Sequence, residues 1–172
     1  MHKLVIPFLL IIIFLFLGSC SDNNNELLEK LQAAVEEENA VGNDFHVVDM
    51  DSLTDFEWET LYFFDAGEDK RSISDQIGFK WDGPVVPDLH RRLLFVNEGQ
   101  VVTYTDYKFD DFPLMVYGCN EDRWVYPRSR SRFATFRYCN QNNVIYPFIP
   151  VTCVENLSGM MGQDCPEAVA EE

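Results

Sequence analysis

The chain has 172 residues, with 29 acidic against 13 basic side chains and a formal net charge of −16 at pH 7. This balance excludes nucleic acid as a general partner and disfavours anionic lipid surfaces, because phosphate contacts require clustered Lys and Arg. The length suits one domain that buries roughly 70% of its unfolded surface. Residues 22–69 carry fifteen of the acidic side chains against Lys30 alone. Such a segment indicates a solvated, self-repelling surface or, alternatively, a docking face for a cationic partner.

The N-terminus has the three-part layout of a secretory signal. His2 and Lys3 precede an apolar run over residues 4–17, and small residues follow it. A helix over this run would reach roughly 21 Å, which is too short for a hydrocarbon core of ~30 Å. The pattern therefore predicts a signal peptide over residues 1–19, with cleavage after Ser19.

The end of this signal, Leu-Gly-Ser-Cys at residues 17–20, resembles the lipobox of bacterial lipoproteins. The resemblance implies a diacylglycerol on the Cys20 sulfur, removal of residues 1–19 and acylation of the new amino group. Two or three acyl chains anchor a protein durably, whereas one chain binds only marginally. Ser21 at position +2 is compatible with the outer membrane in the enterobacterial sorting pattern. The alternatives are an ordinary secretory signal with a chance cysteine, or an uncleaved anchor.

The next residues predict a polar tether and a helix. Residues 20–25 read as the acylated cysteine and a short spacer, since Ser, Asp and Asn cannot bury apolar surface. Residues 26–38 place apolar side chains on one side of an amphipathic helix, with Asn25 as its cap. These apolar side chains are Leu27, Leu28, Leu31, Ala34 and Val35. The helix either packs on the domain or serves as a partly frayed stalk.

The middle of the chain predicts a strand, a short helix and a hairpin. Residues 56–64 alternate as a strand that is buried on one face at its start and on both faces at its end. Ser72 is expected to cap a short helix that Gly78 closes. Residues 93–96 and 101–105 flank a turn with Gly99 at a positive φ. Residues 53–105 look like small uncharacterised bacterial exported proteins, a likeness that implies a compact α+β domain and no activity.

Further short strands are expected at residues 114–117, 124–126, 132–138 and 144–150, which favours an antiparallel sheet. The predicted fold is therefore α+β, a small antiparallel sheet with one N-terminal amphipathic helix and one short helix. A single domain is expected over residues 26–165. The acidic tail, residues 166–172, has too little apolar content to pack and is expected to be disordered.

Four cysteines remain beyond Cys20, and they are Cys119, Cys139, Cys153 and Cys165. An even number in an exported chain favours disulfides. Four cysteines can be connected in three ways, and the preferred one combines Cys119–Cys139 with Cys153–Cys165. A zinc site is disfavoured because there is no C-x-x-C, and only His46 and His90 could assist. We therefore expect no metal and no cofactor.

The one basic feature is the run of Arg128, Arg130 and Arg132. If this run is extended, the three guanidinium groups point the same way and could grip carboxylates or phosphates on a glycan, a lipid headgroup or a protein. Alternatively, the arginines protect an edge strand from aggregation, or they compensate the acidic first third.

No nucleophile–base constellation is readable. Ser158-Gly159 lacks the G-x-S-x-G frame, and His90 beside Arg91 and Arg92 is the only candidate acid/base group with unusual neighbours. Glu57 and Glu59 fall on the polar face of an ordinary strand. The sequence thus predicts a non-catalytic lipoprotein of the cell envelope, outside the cytoplasm. It is anchored by acyl chains on Cys20 and binds a protein or glycan partner. The alternative is an acidic immunity or inhibitor protein against an envelope-acting toxin.

Overall fold

The computed structural model describes residues 23–37, 45–118, 124–140 and 143–156. It contains two β-sheets with helices packed around them, so the α+β class is confirmed. In chain order the elements are α1 (Asn25–Val35), β1 (His46–Asp49), α2 (Met50–Leu53), β2 (Thr60–Phe64), α3 (Lys70–Ile77), β3 (His90–Asn97), β4 (Gln100–Lys108), β5 (Leu114–Val116), β6 (Val125–Pro127), β7 (Arg132–Thr135), β8 (Tyr138–Asn140) and β9 (Asn143–Pro150). Two 3₁₀ turns, Arg128–Arg130 and Val151–Asn156, complete the list.

The strands divide into a first sheet of order β4-β3-β2-β6 and a second sheet of order β1-β7-β9-β5. All pairs of the first sheet are antiparallel. In the second sheet β8 pairs with the start of β9, while β5 lies parallel to β9. A parallel pair requires a long connection, which the chain between β5 and β9 provides. The structure therefore has two sheets, one of them mixed, where the sequence predicts one antiparallel sheet.

The main hydrophobic core joins side chains of both sheets with α1. Leu61, Leu93 and Phe95 come from the first sheet, and the rings of Phe133 and Phe148 stack in the second with their centroids 4.1 Å apart. Helix α1 adds the buried side chains of Leu27, Leu31 and Val35. The predicted apolar side of this helix is thus confirmed, and the helix packs on the domain.

Local capping differs from the prediction at both helix starts. The Oδ1 of Asn24, rather than of Asn25, accepts the Leu27 N–H at 2.9 Å. Asp69, rather than Ser72, caps α3, because its carboxylate lies before the first turn and accepts two backbone N–H groups. Residues 23–25 of the expected tether are therefore already part of the folded domain.

Helix α3 covers the outer face of the first sheet. Ile73 and Ile77 pack there with Phe64 and Leu94. Gly78 ends the helix in the left-handed region at φ 83°, as predicted. The β3–β4 hairpin is also confirmed, with Glu98 at φ 47° and Gly99 at φ 71° forming a two-residue turn of the type that favours hairpins. Within the residues described, no helix is long and apolar enough to cross a bilayer.

Candidate functional site

A cleft of about 290 Å³ opens where β3 begins and β4 ends. The last pair of the hairpin is His90 opposite Lys108, and Phe109 N–H then donates to the Leu89 carbonyl at 3.0 Å. This bond holds the two chain segments together at the mouth of the cleft. The lining residues are Asp65, Ala66, Leu89, His90, Arg91, Phe109 and Asp110. We call this feature the Arg91 cleft.

Arg91 lies at the open end of the main core. Successive strand residues alternate between faces, so Arg91 shares the inner face of β3 with Leu93 and Phe95. Its guanidinium carbon is 4.6 Å from the centroid of the Phe109 ring and 5.9 Å from that of Phe63. A guanidinium packs well on aromatic faces, and this placement fixes the orientation of the side chain.

The polar contacts of Arg91 are only partly satisfied. Its Nη1 donates to the Asp65 carboxylate, whose side chain is 65% exposed. Its Nε is buried and has no hydrogen-bond partner among the residues described. The Arg91 side chain itself is 28% exposed. The cleft therefore presents a half-buried cation whose one described counter-ion, Asp65, lies in solvent.

Leu89, which lines the cleft, and Trp124, which packs on Phe63, both have unusual backbones. Leu89 is 62% exposed with φ at 62°, and Trp124 is 39% exposed with φ at 68°. The Trp124 ring lies 5.4 Å from that of Phe63, which connects it to Arg91. A left-handed backbone costs a non-glycine residue about 1–2 kcal/mol. The fold thus holds Leu89 in a strained position beside Arg91, and Trp124 in another on the Phe63 ring.

His90, the acid/base candidate from the sequence, belongs to the same cleft. Its Nδ1 lies 2.8 Å from the Asp88 carbonyl oxygen, so that nitrogen carries the proton and donates. Among the described residues, no group of three His, Cys, Asp or Glu side chains is arranged to hold a metal ion. The chemistry that the cleft offers is a cation, aromatic faces, exposed apolar carbon and an imidazole.

The arginine run has a different geometry from the one predicted. Arg128 and Arg130 lie in the 3₁₀ turn, and Arg132 begins β7. Ser131 Oγ donates to the Arg128 carbonyl at 2.8 Å and holds this turn closed. The premise of an extended run is therefore wrong, and the three side chains do not form one row.

The guanidinium of Arg128 forms ion pairs with acidic side chains of the segment over residues 22–69. It donates to Asp51 and Glu57, and its guanidinium carbon lies 5.7 Å from the Trp58 ring. Its hydrogen bonds to Glu57 and Asp51 raise the pKa of Arg128. Arg132 Nε is 4.0 Å from Asp49. This arrangement favours the alternative in which the arginines compensate acidic charge, while binding of a ligand by them stays a prediction.

Two of the four predicted disulfide cysteines lie within the described residues. Cys139 is on β8 opposite Val144, and Cys153 is buried in the last 3₁₀ turn. Both are disulfide-bonded. Cys119 and Cys165, like Cys20, lie outside the described residues, so the preferred connectivity stays a prediction.

Most of the cleft carried no signal in the sequence. His90 and Arg91 were marked by their adjacent charges, but Leu89 stands out only through its backbone angle. Asp65 and Phe109 reach the cleft through strand register, which brings residues distant in the chain together. Comparisons of the chain with protein-family models, with curated proteins and with solved structures found no match.

Proposed function

We propose that this protein is a non-catalytic lipoprotein of the cell envelope, anchored through acylated Cys20, whose Arg91 cleft binds another envelope component. The observation that carries the proposal is the strained, exposed Leu89 beside the half-buried Arg91 in one cleft. Strained backbones cluster at binding and active sites, where the surrounding structure holds them in place. Exposed aromatic and arginine side chains are also the residues most enriched in protein interfaces.

The cleft fits a partner segment that presents an apolar side chain next to a carboxylate. The apolar side chain would lie on Leu89 and Phe109, and the carboxylate would replace Asp65 on Arg91. An exposed ion pair is worth only about 0–1 kcal/mol, so this exchange costs little. Bidentate geometry and the Phe109 ring would then orient the incoming carboxylate.

The proposed anchor lowers the affinity that such a site needs. Tethering two partners to one membrane converts binding into a nearly intramolecular event with a high effective concentration. A small cleft with one cation and a few apolar contacts is then sufficient for an adaptor. This argument requires acyl chains on Cys20, which the resemblance to a lipobox implies.

The alternative of an acidic immunity protein receives less support. Asp51 and Glu57 are paired with Arg128, and Asp65 is paired with Arg91. These internal pairs lower the negative potential that would attract a basic partner, although each exposed pair could be exchanged at little cost.

Photo-crosslinking in intact envelopes tests the binding site. A photoreactive amino acid at exposed Ala66, inside the cleft, is expected to give a discrete adduct, and the same amino acid at exposed Ser129 is not. Leu89→Gly should weaken the adduct at least tenfold. Its effect on unfolding should stay within about 1 kcal/mol, because relief of backbone strain offsets the added chain entropy of glycine.

Glu98→Gly is the matched control, since it relieves the same kind of backbone strain in the hairpin turn, far from the cleft. It should leave the adduct unchanged. An adduct that does not depend on Leu89, or that also forms from position 129, overturns the cleft as the binding site. A single basic toxin in the adduct would instead favour the immunity protein. Mass spectrometry of the membrane-extracted protein tests the anchor, which an intact N-terminus or an unmodified Cys20 would exclude.

A further inference from the structure

The first described residues are bound to the edge of the first sheet. Asn23 forms a parallel bridge with Tyr104 on β4. Asn24 N–H donates to the Tyr104 carbonyl at 2.7 Å, and Asp106 N–H donates to Asn23 Oδ1 at 2.8 Å. Asn24 also caps α1. The chain is therefore held to the folded domain from residue 23 onward.

Only two residues, Ser21 and Asp22, separate this attachment from Cys20. Consecutive Cα atoms are at most about 3.8 Å apart, so the Cα of Cys20 lies within roughly 11 Å of that of Asn23. We infer that the β4 edge of the first sheet, together with the start of α1, faces the bilayer and contacts its lipid headgroups. The inference rests on the proposed acylation of Cys20, because the acyl chains fix where the membrane lies.

Two acidic side chains at this edge, Asp106 and Glu26, have local counter-ions. Asp106 receives two hydrogen bonds of 2.7 Å from Arg92. Glu26, in the first turn of α1, lies 2.8 Å from Lys30. A net charge of −16 disfavours contact with anionic headgroups in general, but paired carboxylates repel them much less.

The loop that follows α3 extends the same face. Trp81 packs on Tyr104, with their ring centroids 5.9 Å apart, and so brings the loop next to the attachment point. Asp82 in this loop lies 2.7 Å from Lys80 and 3.8 Å from Lys70. Three carboxylates near the attachment point are thus compensated, which makes this face suitable for a headgroup surface.

Two labelling positions distinguish this face from the rest of the molecule. Exposed Glu29 lies on α1, about 6 Å along the helix axis from its first residue. Exposed Ser129 follows β6, which is three strands away from β4. At about 4.8 Å per strand, with one more step for the docked chain, Ser129 is roughly 19 Å from Asn23 across the sheet.

The experiment uses the full acylated chain in vesicles of phosphatidylethanolamine and phosphatidylglycerol that contain a gadolinium-chelating lipid. A nitroxide is attached to an added cysteine in Glu29→Cys or Ser129→Cys. We expect the paramagnetic relaxation enhancement to be at least threefold larger at position 29. Inserting fifteen Gly and Ser residues between Ser21 and Asp22 should reduce this ratio to about one, while circular dichroism stays unchanged.

Flotation of the vesicles separates the two ways of failing. A protein that does not float with the vesicles lacks the anchor, which overturns the proposed function and this inference with it. A protein that floats but shows equal enhancement at both positions overturns the orientation alone. A ratio that survives the inserted linker also overturns it, because the short tether would then not be its cause.

Discussion

Removing one member of the pair of Arg92 and Asp106 is expected to destabilise the first sheet strongly. The Arg92 side chain is fully buried, and that of Asp106 is 11% exposed. Arg92 donates from Nε and Nη2 to the two carboxylate oxygens and from Nη1 to the Pro84 carbonyl, each at 2.7 Å. The Tyr104 and Trp81 rings lie 4.3 and 5.3 Å from its guanidinium carbon. Every side of this cation is therefore occupied by protein.

Asp106→Asn keeps the shape of the side chain and removes its charge. Loss of one partner from a buried pair costs about 3–5 kcal/mol, because the other charge stays buried without compensation. For a chain of this size, 1 kcal/mol shifts the melting temperature by roughly 2–4 °C. The variant should therefore melt roughly 6–20 °C lower than the parent protein.

Thermal and urea unfolding followed by circular dichroism measure this effect. Asp65→Asn is the matched control, since it breaks the neighbouring pair between Arg91 and the exposed Asp65 carboxylate. It should lower the free energy of unfolding by less than about 1 kcal/mol. The double variant Arg92→Met with Asp106→Leu should recover most of the loss, because apolar replacements of a buried pair are often close to neutral. Equal costs for Asp106→Asn and Asp65→Asn, or a double variant as unstable as Asp106→Asn, would refute the reasoning.

Two further predictions concern the packing around this sheet. A Cβ at Gly83 would lie 1.9 Å from Cζ2 of Trp81. Gly83→Ala should therefore destabilise the protein by about 1–3 kcal/mol through overpacking and shift Trp emission to the red. Val85→Ala, at an exposed neighbouring position, should do neither. Burial raises the pKa of Tyr107 far above its usual range, and its hydroxyl donates to the Leu114 carbonyl at 3.0 Å. Because the unfolded chain then releases this proton first, stability is full below about pH 10 and falls as the pH rises above it. Tyr107→Phe should be less stable than the parent protein by about 1–3 kcal/mol at pH 7. In urea unfolding, the variant should lose less stability than the parent between about pH 7 and pH 11. An identical alkaline loss in both proteins would contradict this prediction.

The parts of the fold that depend on local patterns could be predicted from the sequence. The 3.6-residue period of Leu27, Leu31 and Val35 identified α1, because one buried stripe is enough to define such a helix. Gly78 and Gly99 marked a helix end and a hairpin turn, since both positions need a positive φ. These signals survive in the structure because neighbouring residues alone satisfy them.

Features that depend on distant partners could not be predicted. β5 pairs in parallel with β9, which follows it only after a long connection. Such a pairing between distant segments leaves no local pattern in the sequence. The arginine run reads as a strand, yet Ser131 closes a turn over Arg128 while Asp51 and Glu57 pair with its side chain. The backbone of this run is thus a turn that the alternation of residues did not predict, and Arg128 pairs with side chains distant in the chain.

Arg91 and Arg92 show why the cleft itself was also hidden. The two residues are adjacent and chemically identical, and alternation on β3 sends them to opposite faces. On the outer face the Trp81 loop seals Arg92 against Asp106, so that pair is permanent. On the inner face the core ends at Arg91, so its pair with Asp65 stays partly exposed. Strand register thus separates a sealed cation from a partly exposed one, and a shift of one residue would exchange their positions.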